Sequence, residues 1–139
     1  MSTDSVLSAT LRQHLVRPTR VRRAVLAILG SSPFALSGAE IEKQLLPTTD
    51  RITLYRTLRT FEQQGLVHRV VDHSETVRYA ACPDPTRAAT DHVHFKCRAC
   101  HRIYCLSHVA VPVVALPGQY RVERGDYLLS GVCERCQPD

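Results

Sequence analysis

Apolar positions recur at two different periods along the chain, and the change of period divides it. Val21, Val25, Ile28 and Leu29 stand at helical spacing within residues 19–29, which open at Thr19, an N-cap residue just after Pro18. The loop of residues 30–34 (GSSPF) ends that helix. Ser37 caps a second, shorter one (GAEIEKQL), with Glu40 three residues on at capping-box spacing, and Pro47 closes it. A third runs from Asp50 to Gln64 and stops at Gly65. Its Leu54, Leu58 and Phe61 fall at i, i+4 and i+7 and predict a buried stripe. Beyond Gly65 residues 66–72 and 76–81 read as strands joined by the polar turn His73-Ser74-Glu75. Helices in close succession followed by a hairpin predict a winged helix-turn-helix.

The polar positions give that fold a chemistry. Arg51, Tyr55, Arg56 and Arg59 lie away from the apolar stripe of the third helix, so it has an apolar back and an Arg/Tyr front. Such a front suits a DNA major groove: arginine pairs with guanine edges or phosphates, and tyrosine reaches a phosphate or a thymine methyl. Arg12, Arg17, Arg20, Arg22 and Arg23 crowd into twelve residues upstream. Residues 1–70 carry 10 Lys and Arg against 5 Asp and Glu, whereas residues 71–139 carry 8 of each, so the net +5 charge lies wholly in the first half. A basic, cysteine-free half predicts a polyanion partner. An apolar fraction of 44% suffices for packed cores and excludes low-complexity disorder. No apolar run approaches membrane-spanning length, and the N-terminal stretch lacks the order of a signal peptide, so a cytoplasmic location is expected.

All six cysteines lie in the second half, together with five of the seven histidines. Cys97-x-x-Cys100 and Cys133-x-x-Cys136 supply four thiolates, the donor set of a tetrahedral structural zinc site. Disulfides are disfavoured in a reducing compartment, and a thioredoxin-like motif would explain one pair but not two. Thirty-two residues separate the pairs, too many for a simple ribbon, so the insert must hold structure: a short segment around residues 109–117 and a strand at 120–130. His92-x-His94 in a strand would point both rings to one face. His68 falls on the first wing strand and Cys82 just past the second; Cys105 is left over. A metal held by His68, Cys82 and the His92/His94 pair would link the two halves and couple its binding to the orientation of the DNA-binding units.

These residues together resemble the ferric uptake regulator superfamily, most closely its zinc uptake regulator branch, over about Arg17 to Cys136. Arg17-x-Thr19-x-x-Arg22 matches the basic start of a helix, and residues 36–41 (LSGAEI) match the opening of the helix-turn-helix. Residues 52–58 (ITLYRTL) look like the recognition-helix signature, with Leu54 where valine is usual. Residues 62–67 (EQQGLV) fit the turn into the wing, and residues 92–100 (HVHFKCRAC) resemble the H-x-H-x-x-C-x-x-C hallmark. The resemblance implies an α+β chain: a winged-helix DNA-binding domain over 1–81, a hinge over 82–90, and a small α/β dimerisation domain over 91–139 holding the four-cysteine zinc. It further implies a homodimer that represses metal-uptake genes when its sensory site is filled. DNA contacts fall on Tyr55 and Arg56, flanked by Arg17, Thr19, Arg22, Arg51 and Arg59; sensory ligands fall on His68, Cys82, His92 and His94. Cys105 lies where other members place a carboxylate and could replace one of these. Asp91 and Val93 stand where extra histidines often occur, no histidine follows His108, and His101 replaces a common glycine.

Three functions can be weighed. A metal-responsive repressor accounts for every feature, and a thiolate in the sensory set favours zinc, with iron or peroxide sensing the alternative. An enzyme is disfavoured, because no H-E-x-x-H, phosphate loop or G-x-S-x-G occurs. A zinc-ribbon interaction module would leave the basic helix and hinge ligands as coincidences.

Overall fold

The N-terminal half is built around helices whose ends are written in the sequence. The computed structural model describes residues 2–72, 74–81, 93–123, 125 and 127–138, so Cys82, His92 and the 82–90 hinge lie outside the described residues. Helix α1 spans Thr3–Gln13 and is capped by Ser2; the apolar pattern had not singled it out, and its one fully buried residue is Leu11. Helix α2 (Arg20–Ser31) begins where Thr19 Oγ1 accepts the Arg22 amide at 3.2 Å. After strand β1 (Leu36–Ser37), helix α3 (Gly38–Gln44) carries the complete capping box: Ser37 Oγ accepts the Glu40 amide at 3.2 Å, and the Ser37 amide donates to Glu40 Oε1 at 3.0 Å. Helix α4 (Arg51–Gln63) is capped by Asp50, and the chain turns out of it at Gly65 with φ +76°, a left-handed conformation glycine adopts without strain.

Leu54, Leu58 and Phe61 are fully buried, as their spacing predicts, against Leu11, Val25, Leu29 and Ile41. Removing a side chain of this kind leaves a cavity worth about 2–5 kcal/mol. The wing is shorter than the sequence pattern suggested: β2 is Val67–Val70 and β3 is Arg78–Ala81. Both are antiparallel, and β1 joins them in a sheet of order β1-β3-β2.

A second sheet of order β5-β4-β6 is made from β4 (Val93–Cys97), β5 (Ile103–Leu106) and β6 (Tyr127–Gly131). The strand expected at 120–130 is instead Tyr127–Gly131, with no strand over 120–123, and residues 110–117 have no regular structure. β5 is antiparallel to β4 but β6 is parallel to it. Leu106 and Tyr127 both pair with Val93, so the segment between them leaves and returns at one end of the sheet.

The two sheets are docked. The Ala35 amide donates to the Ile103 carbonyl at 2.8 Å, and Phe34 bridges to Tyr104 with their rings edge to face at 6.0 Å. Ala35, Val70, Ala80 and Ile103 form a small buried cluster shared by both units, with Leu128 packed on it.

Candidate metal centres and nucleic-acid interface

Parallel pairing explains how two cysteine pairs far apart in sequence meet. Cys97 ends β4 opposite Gly131, which ends β6, so the two C-x-x-C turns emerge at the same end of the sheet. The Arg98 amide fastens them by donating to the Gly131 carbonyl at 2.7 Å. All four sulfurs lie within 4.8 Å of one another, and Cys100 Sγ is 3.9 Å from Cys133 Sγ. A tetrahedral zinc with bonds of about 2.3 Å sets its sulfurs about 3.8 Å apart, so the donors fit. The Cys133 and Cys100 amides each donate to Cys97 Sγ at 3.4 Å, and these bonds bring the Cys97 thiol down to about 6. Its hydrogen bond with Cys133, and then burial, push Cys136 up to about 12. Cys97 is thus the thiol most readily ionised and Cys136 the least, and a metal binding all four sulfurs would displace the thiol protons that remain. His101, next to this turn, has φ +63°, which explains why a glycine suits the position. His101 and His108 are exposed, consistent with surface roles.

The second cluster spans the two units. His68 is buried on β2, while His94 on β4 and Cys105 on β5 are directly opposite each other in the ladder. His68 Nε2 lies 3.2 Å from His94 Nε2 and 3.6 Å from Cys105 Sγ. A tetrahedral zinc places two nitrogens about 3.3–3.4 Å apart and a nitrogen and sulfur about 3.5–3.6 Å apart, so these three atoms fit three corners. Three of the five expected sensory residues are therefore together; Cys82 and His92 are the two outside the described residues.

On α4, Arg51, Ile52, Tyr55, Arg56 and Arg59 are exposed and line one groove. Arg51 is paired to Glu42 at 3.3 Å. A cleft of about 670 Å³ between the start of α2 and α4 gathers Arg17, Thr19, Arg22 and Arg56. All seven residues expected at DNA thus fall on two adjoining concave surfaces, although Thr19 Oγ1 also serves as a helix cap and Arg22 donates to the Arg17 carbonyl at 2.8 Å. Tyr55 reaches back over the first residue of α3: a methyl group on Gly38 would stand 2.3 Å from Tyr55 Oη.

Sequence reasoning missed Asp72. Its side chain is wholly buried, receives hydrogen bonds from Lys96 and Ser74, and lies 3.7 Å from Arg78. Burial pushes its carboxyl up, but the Lys96 and Ser74 bonds outweigh this and hold it well below the ordinary carboxylate range. The one local signal was Lys96 two residues after His94, on the same face of a strand.

The ferric uptake regulator family profile matches residues 13–114. No curated protein sequence matches the chain. Among solved structures, a zinc uptake regulator complexed with zinc and DNA is similar with a TM-score of 0.69 at 20% identity, covering 98% of this chain and 95% of that one. Holo XcZur gives 0.67 at 19%, covering 96% and 97%. The ferric uptake regulator Fur of Helicobacter pylori, described with three functional metal binding sites, gives 0.61 at 19%, covering 100% and 96%. At these identities the likeness is one of fold. No helix among the described residues is long and apolar enough to cross a membrane.

Proposed function

The chain belongs to the ferric uptake regulator family, and from that membership we propose that it is a cytoplasmic, homodimeric, zinc-responsive repressor that binds a duplex DNA operator and controls metal-uptake genes. The observation that carries this reading is the meeting of His68 from the wing with His94 and Cys105 from the second sheet. A site built by two units responds to its ligand by fixing their relative orientation. In a dimer, that orientation spaces two recognition helices against successive major grooves. The thiolate of Cys105 favours zinc over iron or manganese, which prefer nitrogen and oxygen donors. Cys82 or His92 supplies the fourth ligand in this reading.

Cys97, Cys100, Cys133 and Cys136 have the structural role. Four thiolates leave no open position for substrate, which argues against catalysis. Zinc supplies there a cross-link between the ends of β4 and β6. Tyr55 and Arg56 read the groove, while Arg17, Arg22, Arg51 and Arg59 neutralise phosphates along its edges and Thr19 contacts one through its hydroxyl. The zinc uptake regulator bound to zinc and DNA among the structural relatives supports the same partners.

The test uses a duplex selected from a randomised pool by zinc-loaded protein. Affinity for it should rise with free zinc in the wild type. His94→Ala should keep one zinc per chain, fold and dimerise, yet lose the zinc response. Cys97→Ser should lose the other zinc and destabilise the second sheet, because assembly of the site is coupled to folding. A response to ferrous iron but not to zinc would move the reading to iron sensing. Failure to select any duplex would leave only an interaction module.

A further inference from the structure

The wing and the second sheet are joined at a second point besides the ligand cluster. Asp72 follows β2, and its side chain is completely shielded from solvent. Within its own unit it has the Ser74 amide at 2.9 Å, the Ser74 hydroxyl, and Arg78 at 3.7 Å, whose Nη1 has no hydrogen-bond partner among the described residues. The charged hydrogen bond comes from Lys96 of β4, across the interface. A buried carboxylate is costly unless paired and hydrogen-bonded. Pulling the units apart would strip Asp72 of the ammonium that makes its burial tolerable.

Position along the strands adds the functional link. His94 and Lys96 are two residues apart on β4 and so share a face. His94 meets His68 on β2, and Lys96 meets Asp72 just past the end of that strand. One strand of each unit is thus tied twice: once through candidate ligand atoms, once through an ion pair that needs no metal. The same two units also share the small buried cluster of Val70, Ala80, Ala35 and Ile103.

We propose that Asp72 and Lys96 are positioning residues for the sensory site: they hold the second sheet on the wing independently of metal, keep His94 and Cys105 opposite His68, and thereby set the zinc concentration at which the site fills. The proposal rests on the reading of His68, His94 and Cys105 as zinc ligands. Its basis is a population argument. A site whose ligands belong to two units binds with an affinity reduced by the fraction of time the units are docked. Loosening the docking weakens binding without touching a ligand.

The test uses the full chain with its four-cysteine zinc in place. Zinc affinity of the second site is measured by competition with a chromophoric chelator. Docking is read from hydrogen exchange of the Ala35 amide, which donates to Ile103 across the interface, with the second site stripped by the same chelator. Asp72→Asn and Lys96→Met should each raise the zinc dissociation constant about tenfold. Both should also speed Ala35 exchange, while amides of Leu54 and Leu58 keep their protection and report an intact winged helix. Wild-type zinc affinity in Asp72→Asn would overturn the proposal. So would weakened zinc binding with unchanged Ala35 exchange, because the residues would then act on the ligands and not on docking. His94→Ala separates the two readings. If that variant still binds two zinc ions per chain, the sensory site itself is wrongly placed; if it binds one while Asp72→Asn behaves as wild type, only the positioning role fails.

Discussion

Tyr55 occupies its place on the arginine-lined groove of α4 because Gly38 has no side chain. A methyl group there would lie 2.3, 2.7 and 2.9 Å from three atoms of the tyrosine ring and hydroxyl, so the ring must swing away. Gly38 has an ordinary helical backbone, and alanine is favoured over glycine in helices by about 0.5–1 kcal/mol. Gly38→Ala should therefore leave thermal stability within about 1 kcal/mol of wild type yet weaken operator binding by about 1–3 kcal/mol. In a Tyr55→Ala background the same substitution should add nothing, as a double-mutant cycle would report. Asp72 gives a second test at this scale. Its folded carboxyl lies below the unfolded value of about 3.9. Its contribution is therefore complete above that value and lost as pH falls through the lower, folded one. The stability difference between wild type and Asp72→Asn, from urea unfolding, should be constant from about pH 8 to about pH 5 and shrink below about pH 4. Residue types and spacing made the exposed front of α4 and the meeting of the cysteine pairs legible. Gly38 and Asp72 were not, because each acquires its role from a partner on another element.

Elements were legible where their ends were chemically marked. Thr19, Ser37 and Asp50 each accept an amide from the first turn that follows, so three helix starts could be read directly. Helix α1 has the same kind of cap in Ser2, but only Leu11 of its residues is fully buried, and a stripe that thin gives little period to read. The wing strands were overextended because Leu66 and Val77 are also apolar; both join the core from outside the ladder. Ser37 is the element-scale test. Its hydroxyl and the Glu40 carboxylate satisfy two amides at the start of α3, so Ser37→Ala should cost about 1 kcal/mol of stability. A shift in urea midpoint at constant slope would report it.

The whole molecule holds what the sequence pattern could not show: two sheets docked through Ala35, Phe34, Ile103 and Tyr104, none of which carries a recognisable motif. Contacts between distant, chemically plain residues leave no period and no spacing. The charge asymmetry, by contrast, was plain, and it makes a prediction for the assembled dimer. In the proposed dimer, Arg17, Arg22 and Arg59 of the two chains offer six cations to phosphates, Arg51 being paired to Glu42. Operator affinity should then fall by on the order of a thousandfold between about 50 mM and about 200 mM salt, through counterion release.

The parallel course of β4 and β6 also governs how the chain comes to be folded. Val93 pairs with Tyr127, thirty-four positions away, and no tight turn can deliver that partner. Contacts so distant along the chain form slowly, since the entropy of closing the loop is lost before the ladder returns anything. The helices of the first unit, by comparison, close over short connections. On a ribosome, the winged helix would be finished while β4 and β5 still waited for β6, and with it for Cys133 and Cys136. Until then the nascent chain would have its arginine-fronted helix but only half of the four-thiolate site, so competence to hold a metal there would come after the winged helix is complete.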